Sequence, residues 1–373
     1  MSTPLPDPVD PDSIRRALVT KLRHHGDVLL ASPVFTTLAR IARHAEVDAL
    51  VYRETQPMLA NHPAIARIHT IDREWKRQGL LAQLRAEGRL LATLRERRYD
   101  LLVHLTEHPR GATLARLLRP RWSVARERPG ATRFWRTSFT HFYRLPKATP
   151  RHAVEANLDA LRRIGFYPQP SDKRLTLVPG PAANARIDAL AAELALAPGR
   201  FVQCHPGSRW LFKCWPAERT AALIDRIAGA GHRIVLTGAP DPRERALVEA
   251  VKAALAPATQ ARVVDASGRL TLSELAALTA RARLFVGVDS APMHIAAAVG
   301  TPVIVLFGPS GELEWGPWMV PHRIVASDAH PCRPCGIDGC GGGKVSECLT
   351  SLPVDNVFAA FMDLLAETSA PVR

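Results

Sequence analysis

The sequence predicts an α/β protein built from two Rossmann-like domains whose parallel sheets face each other across a cleft. Three observations carry that prediction. Short apolar runs of strand type alternate with helical stretches in both halves of the chain. The run Gly287–Ser310, GVDSAPMHIAAAVGTPVIVLFGPS, reads as strand end, polar turn, short Ala-rich helix and second strand. Finally, 373 residues are too many for one ordinary core and suit two domains of moderate size.

In the first half, ALVTKLR (17–23) is the first strand. It leads through HHGD into a helix starting near Val28. VDALVY (47–52) and ARIHTID (66–72) follow as strands, and DLLVHLT (100–106) is another after a long basic helix. The Pro-, Gly- and charge-bearing segment QPSDKRLTLVPGP (169–181) reads as a linker region. Beyond it FVQCHPG, HRIVLTG, ARVVDAS, RLFVGV and VIVLFG are strands separated by helices, and VDNVFAAFMDLLAE closes the chain as a helix. The expected organisation is a disordered tail over 1–12, an N-terminal Rossmann-like domain over 13–172, a C-terminal Rossmann-like domain over 173–352, and a C-terminal helix and tail over 353–373.

Composition excludes several classes. With 47% hydrophobic and 23% charged residues, the chain is of ordinary globular type. It has no uninterrupted apolar stretch of membrane-spanning length, and MSTPLPDPVDPDS lacks the pattern of a signal peptide. A cytoplasmic location with reduced cysteines is expected. The charge is lopsided: residues 1–173 hold 30 Lys and Arg against 17 Asp and Glu, the remainder 19 against 18. Residues Arg73–Arg98 set a leucine stripe (Leu80, Leu84, Leu91, Leu94) against an Arg-rich face, and a second basic cluster runs from Arg110 to Arg136. Such a surface suits phosphate-bearing lipid headgroups, nucleic acid or plain solvent. Nucleic acid is the weakest of these, because zinc-finger spacing and RNA-binding aromatic signatures are missing.

Four strand-end loops carry the candidate chemistry. Asp289 and Ser290 sit where a strand gives way to a helix, so free backbone N–H groups and the positive end of the helix dipole are available to an anion, with His294 in the first turn. An ordinary N-cap is the competing reading. Gly26 and Asp27 follow the first strand, where the aspartate is either a cap or a general base. In HPGSRWLFKCWPAE (205–218), Gly207 and Ser208 allow close approach and Arg209 and Lys213 supply charge. Lys213 could neutralise a departing diphosphate, or be a surface lysine. Glu244, in TGAPDPRERA (237–246), is placed either to accept ribose hydroxyls or to cap its helix. The first strand is followed by HHGD rather than a G-x-G-x-x-G loop, which argues against a nicotinamide-dependent oxidoreductase.

Taken together, Gly26-Asp27, HPGSRWLFKCWP, TGAPDPRE and VDSAPMHIAAAVGTPVIVLFGPS resemble the ADP-heptose:lipopolysaccharide heptosyltransferases, inverting transferases of GT-B fold. The resemblance spans nearly the whole chain after the first dozen residues. The Cys-rich stretch PCRPCGIDGCGGGKVSECLTSLP, with SRWLFKCW, is similar to that family's heptosyltransferase III branch. It implies that Asp27 is the catalytic base and that Lys213, two residues before Trp215-Pro216, contacts phosphate. It further implies that Asp289 contacts the heptose, while Ser290, Ala291 and His294 bind the diphosphate. Ser290 and Ala291 stand where the family has Thr and Gly, and Ala291 adds a methyl group. The match of Ser208 to a phosphate-binding threonine is looser, because this loop is one residue longer.

The resemblance makes 13–172 the acceptor-binding and 173–352 the nucleotide-sugar-binding domain; the implied donor is ADP-L-glycero-D-manno-heptose and no cofactor or divalent metal is required. The implied acceptor is a phosphorylated lipid A-core at the cytoplasmic face of the inner membrane. The C-terminal helix is expected to pack back toward the first domain. Competing readings are another branch of the family, another GT-B nucleotide-sugar enzyme, and a non-catalytic nucleotide-sugar or anionic-lipid binding protein. Cys332, Cys335, Cys340 and Cys348, spaced C-x2-C-x4-C-x7-C, could hold a structural zinc, pack as reduced thiols or form a redox-labile pair.

Overall fold

Parallel strands form the frame in a computed structural model that describes residues 8–146 and 150–369. The first sheet comprises β1 (Arg16–Lys21), β2 (Glu46–Tyr52), β3 (Arg67–Ile71), β4 (Leu101–His104), β5 (Trp122–Arg126) and β6 (His141–Tyr143), in the order β3-β2-β1-β4-β5-β6. The second comprises β7 (Phe201–His205), β8 (Arg233–Leu236), β9 (Val263–Asp265), β10 (Leu284–Val288), β11 (Val303–Phe307) and β12 (His322–Ala326), in the order β12-β11-β10-β7-β8-β9. Both are the same doubly wound order, reversing direction between β1 and β4 and between β7 and β10. Helices cover both faces of such a sheet, so β7, β10 and β11 are buried at every residue; β10 and β11 read as continuous apolar runs, while β7 also buries Gln203 and His205.

The chain divides between Leu177 and Val178 into two compact units. That point lies inside the Pro- and Gly-bearing segment read as the linker. Its N-terminal part is held by the first unit: Arg40 pairs with Asp172 at 2.7 Å, and the amide of Thr176 donates to Ser32 Oγ. Of the stretch expected to be a disordered tail, residues 1–7 lie outside the described residues. Residues 8–12 are ordered: the amide of Val9 donates to the carbonyl of Ile164, and Val9 is buried. The short strands β5, β6 and β12 were not legible, since WSVAR, HFY and HRIVA mix polar with apolar residues.

The C-terminal helix Val354–Ser369 packs on the second unit. Val357, Phe361 and Leu364 bury in the second unit's core with Ile304, Leu306 and Trp215, because an i, i+4, i+7 stripe fits the outer face of β11 and β12. In the long basic segment, Arg73–Arg77 is a separate 3-10 turn, and the α-helix runs Leu80–Glu96 behind Gly79, whose φ of 94° requires glycine. Only the distal part of its leucine stripe is core. Leu94 is buried and Leu90 packs against the same cluster, whereas Leu80 and Leu84 are exposed.

Candidate active site

At the carboxyl edge of the second sheet, the loops after β7 and β10 emerge side by side at the point where strand order reverses. Their backbones run close together, since a Cβ on Gly287 would lie 2.9 Å from the carbonyl oxygen of His205. The chain after β7 forms a short 3-10 turn, Leu211–Lys213, which brings Lys213 back over the strand ends. There its ammonium donates to Asp289 Oδ2 at 2.5 Å. One carboxylate occupies only part of an ammonium's three-donor capacity, so Lys213 can hold Asp289 and an anion together. Asp289 is buried and Lys213 about one-fifth exposed, which leaves the pair open on the lysine side.

The helix Ala291–Ala298 begins directly behind this pair. Its N-cap, Ser290, has extended backbone geometry but no side-chain cap bond; the hydroxyl donates instead to the carbonyl of Val288 at 3.3 Å. Asp289 is turned to Lys213. The capping reading of Ser290 therefore fails. In the first turn Pro292 has no N–H and that of Met293 donates to the carbonyl of Ser290 at 3.1 Å, so the Ala291 N–H and the helix dipole are what this end offers an anion. His294 is buried in that first turn. Ala291 is half-buried at the first helical position.

The other donor-side candidates separate into two kinds. Ser208 is buried, and its Oγ accepts the amide of Trp210 at 3.3 Å, whereas Arg209 is exposed and lies over the Trp210 ring. Glu244 is buried and faces inward. Its Oε2 accepts the amide of Ala239 at 2.9 Å and lies 3.6 Å from His205 Nε2. A Cβ on Gly207 would meet that same oxygen at 2.6 Å. His205 in turn is hydrogen-bonded to Thr237 Oγ1 at 2.9 Å, which also accepts from Gln203. Burial works against ionisation of Glu244, but the hydrogen bond and charge of His205 and the Ala239 amide outweigh it and hold the carboxyl below its usual range. Its oxygen Oε2 therefore braces the loop that carries Ser208 and Lys213.

At the carboxyl edge of the first sheet, the helix His25–Leu29 follows β1 with Asp27 in its first turn and Gly26 just before it. Arg23 Nε lies 3.6 Å from Asp27 Oδ1. Sequence reading missed Lys21, the last residue of β1. It is buried and donates to the carbonyl of Leu105 at 3.2 Å and to Asn157 Oδ1 at 3.0 Å. Burial pulls its ammonium down to about 8, while the nearby Asp27 carboxylate acts in the opposite sense. A lysine closing an otherwise apolar strand was the available signal.

The four-cysteine zinc site is not formed. Among the described residues no three His, Cys, Asp or Glu side chains are grouped to hold a metal ion. Cys348 turns inward beside Gly308, where burial pushes its thiol up. Cys332, Cys335 and Cys340 are exposed, and Cys340 Sγ accepts the amide of Glu347 at 3.4 Å. This segment instead supports the loop that carries Lys213, because Ser346 Oγ donates to the carbonyl of the adjacent Phe212 at 2.6 Å.

Two doubly wound units of identical strand order are the architecture of the GT-B class, and the second carries a lysine and a carboxylate at its switch point. Residues 88–345 match the model of glycosyltransferase family 9 (heptosyltransferase), and the chain belongs to that family. Lipopolysaccharide heptosyltransferase 3 of Escherichia coli is 36% identical over 299 residues, covering 80% of this chain and 84% of that protein. A family 9 glycosyl transferase from Veillonella parvula DSM 2008 has the same fold, with a TM-score of 0.80 at 22% identity over 96% of this chain and 99% of that one. The E. coli heptosyltransferase WaaC, solved with ADP-2-deoxy-2-fluoro heptose, superposes with a TM-score of 0.68 at 18% identity over 95% and 99%.

Proposed function

We propose that the chain transfers L-glycero-D-manno-heptose from ADP-heptose to a heptose of the lipopolysaccharide inner core, as a heptosyltransferase of the third type. The Lys213–Asp289 pair at the switch point of the second sheet carries this reading. The names of the E. coli relatives and the sugar nucleotide bound to WaaC support the choice of donor.

In the proposed reaction an acceptor hydroxyl attacks the anomeric carbon of the donor. A new C–O bond forms as the bond to the β-phosphate oxygen breaks, with inversion. Asp27 takes the hydroxyl proton, a contribution worth about 10²–10⁴ in rate. ADP leaves with the bonding electrons, and the charge growing on its diphosphate is met by Lys213, Ser290, His294 and the Ala291 N–H at the positive end of its helix. Asp289 holds the heptose and orients Lys213. Arg209 and Ser208 line the nucleotide side, and Glu244 keeps their loop in place. In this arrangement cationic groups and backbone dipoles do the work a divalent ion does elsewhere, so chelation with EDTA leaves the rate unchanged.

No helix among the described residues is long and apolar enough to cross a membrane. A lipid-linked acceptor would then be met from the cytoplasmic surface of the inner membrane, with the basic first unit toward anionic headgroups. The test is nucleotide release: ADP should be liberated from ADP-heptose only when a heptose-bearing core acceptor is present. Release from UDP-sugars instead, or release independent of acceptor, would overturn the reading. Linkage analysis of the product made on truncated cores identifies the hydroxyl.

A further inference from the structure

The helix Leu80–Glu96 is amphipathic in two opposite senses along its length. In its distal half the apolar side faces the core, with Leu94 buried and Leu90 packed on the same cluster. In its proximal half the inward positions are polar: Gln83 donates to Glu87 Oε1 at 2.9 Å, and Glu87 is also bound by Arg110 at 3.0 Å. The leucines there point out. Leu80 is 71%, Leu81 70% and Leu84 57% exposed.

Three adjacent leucines facing water cost free energy that a merely solvated face would not incur. Cations surround them. Lys76 and Arg77 precede the helix in the turn Arg73–Arg77, and Arg85 and Arg89 flank the leucines on the exposed side. Glu74 is the acidic neighbour, already paired to Arg77 at 3.0 Å, and Glu87 is spent on Arg110. Leucine ringed by Lys and Arg matches the chemistry of an anionic bilayer surface, which takes the apolar side chains below its headgroups and the cations among them.

The position is equally specific. The turn follows the carboxyl end of β3, the edge that also carries Asp27 after β1. Arg73 lies over the Tyr52 ring and pairs with Glu54 at 3.1 Å, and the carbonyl of Glu54 is hydrogen-bonded to His25 Nε2 at 2.8 Å, two residues before Asp27. Trp75 packs inward and fixes the turn.

We infer that Leu80, Leu81 and Leu84, with Lys76, Arg77, Arg85 and Arg89, form a membrane-docking surface that inserts into anionic bilayers beside the Asp27 loop. This deepens the membrane-surface part of the proposed function and rests on it. The two are tested separately.

Full-length protein is sedimented with vesicles of phosphatidylglycerol and phosphatidylethanolamine containing no acceptor, and transfer is measured in parallel on a short soluble core acceptor. The exposed-site triple variant Leu80→Ser, Leu81→Ser, Leu84→Ser should bind vesicles about a hundredfold more weakly and turn over the soluble acceptor at the wild-type rate. Wild-type binding should also weaken at high salt. Unchanged vesicle affinity of the triple variant overturns the inference, as does wild-type protein that ignores anionic vesicles. Leucine-dependent self-association without vesicle binding overturns it too, by assigning the patch to a second copy of the chain. Failure to transfer heptose, with leucine-dependent vesicle binding intact, strikes the proposed function alone.

Discussion

The two units share one strand order and differ in what they place at its carboxyl edge. The second unit ends β7 and β10 in a site held from behind: Lys213 bonds Asp289, Glu244 braces the Gly207 backbone, and Ser346 holds the Phe212 carbonyl. The first unit ends β1 in a more open arrangement, with Asp27 near Arg23 and a buried Lys21 beneath, and with 31 Lys and Arg against 17 Asp and Glu it carries the chain's whole net charge of +14. A fixed site suits a small anionic ligand of constant shape, and a broad cationic surface suits a large polyanionic one. The fold is the same; the division of labour lies in loops and surface charge.

Within the second unit the largest break of this contrast is Lys213→Ala. Removing a preorganised cation aimed at the leaving group should cost about 10²–10³ in kcat, read in steady-state ADP release, with acceptor KM nearly unchanged. A substitution in the first unit that lowered kcat equally while sparing Asp27 would blur the division. Next is Gly207→Ala. The new methyl group would meet the Glu244 carboxylate, so the loop bearing Ser208 and Lys213 must shift, raising donor KM on the order of tenfold with the fold intact. Circular dichroism and calorimetric ADP titration check both halves of that statement.

How much of this was legible follows from what sequence patterns encode. Strand ends and helix starts are local, so Asp289, Ser290 and His294 were placed correctly on their elements, whereas Asp27, expected at the entrance of a helix starting near Val28, lies inside the helix His25–Leu29. The direction in which a helix-start carboxylate points depends on the neighbouring strand's loop. Asp-Pro-Arg-Glu therefore gave no sign that Glu244 turns inward to Gly207. Periodicity is blind in the same way, because a leucine stripe looks alike whether it meets core or water. Only the polar contacts of Gln83 and Glu87 reveal that Leu80 and Leu84 face out. Cysteine spacing suggested a metal, yet Cys348 turns to the core and the others to solvent.

The smallest effect at neutral pH concerns the buried carboxylates of the two units. Burial of Asp48 favours its neutral form, but hydrogen bonds from His69, Arg97 and Tyr99 prevail and hold it down to about 2. A depressed carboxylate contributes stability above its ordinary range and loses it as pH falls through the folded value. Glu244 is depressed in the same direction in the second unit. Thermal melts should decline in two stages: first below about pH 6.5, because burial holds His62 down to about 4 and His104 to about 3 while the unfolded chain takes up those protons, then further in stronger acid as the two carboxylates are protonated. A melting temperature that stops falling in that stronger acid would contradict the assignment of both carboxylate networks.

The central claim is that the fixed site binds the donor while Asp27, in the other unit, performs proton transfer. The most direct measurement is Asp27→Ala, assayed for heptose transfer and, by calorimetry, for ADP-heptose binding. Transfer should fall by about 10²–10⁴ while donor affinity stays within about twofold of wild type, since no donor contact is removed. An unchanged rate, or a loss of donor affinity that accounts for the loss of rate, would contradict it.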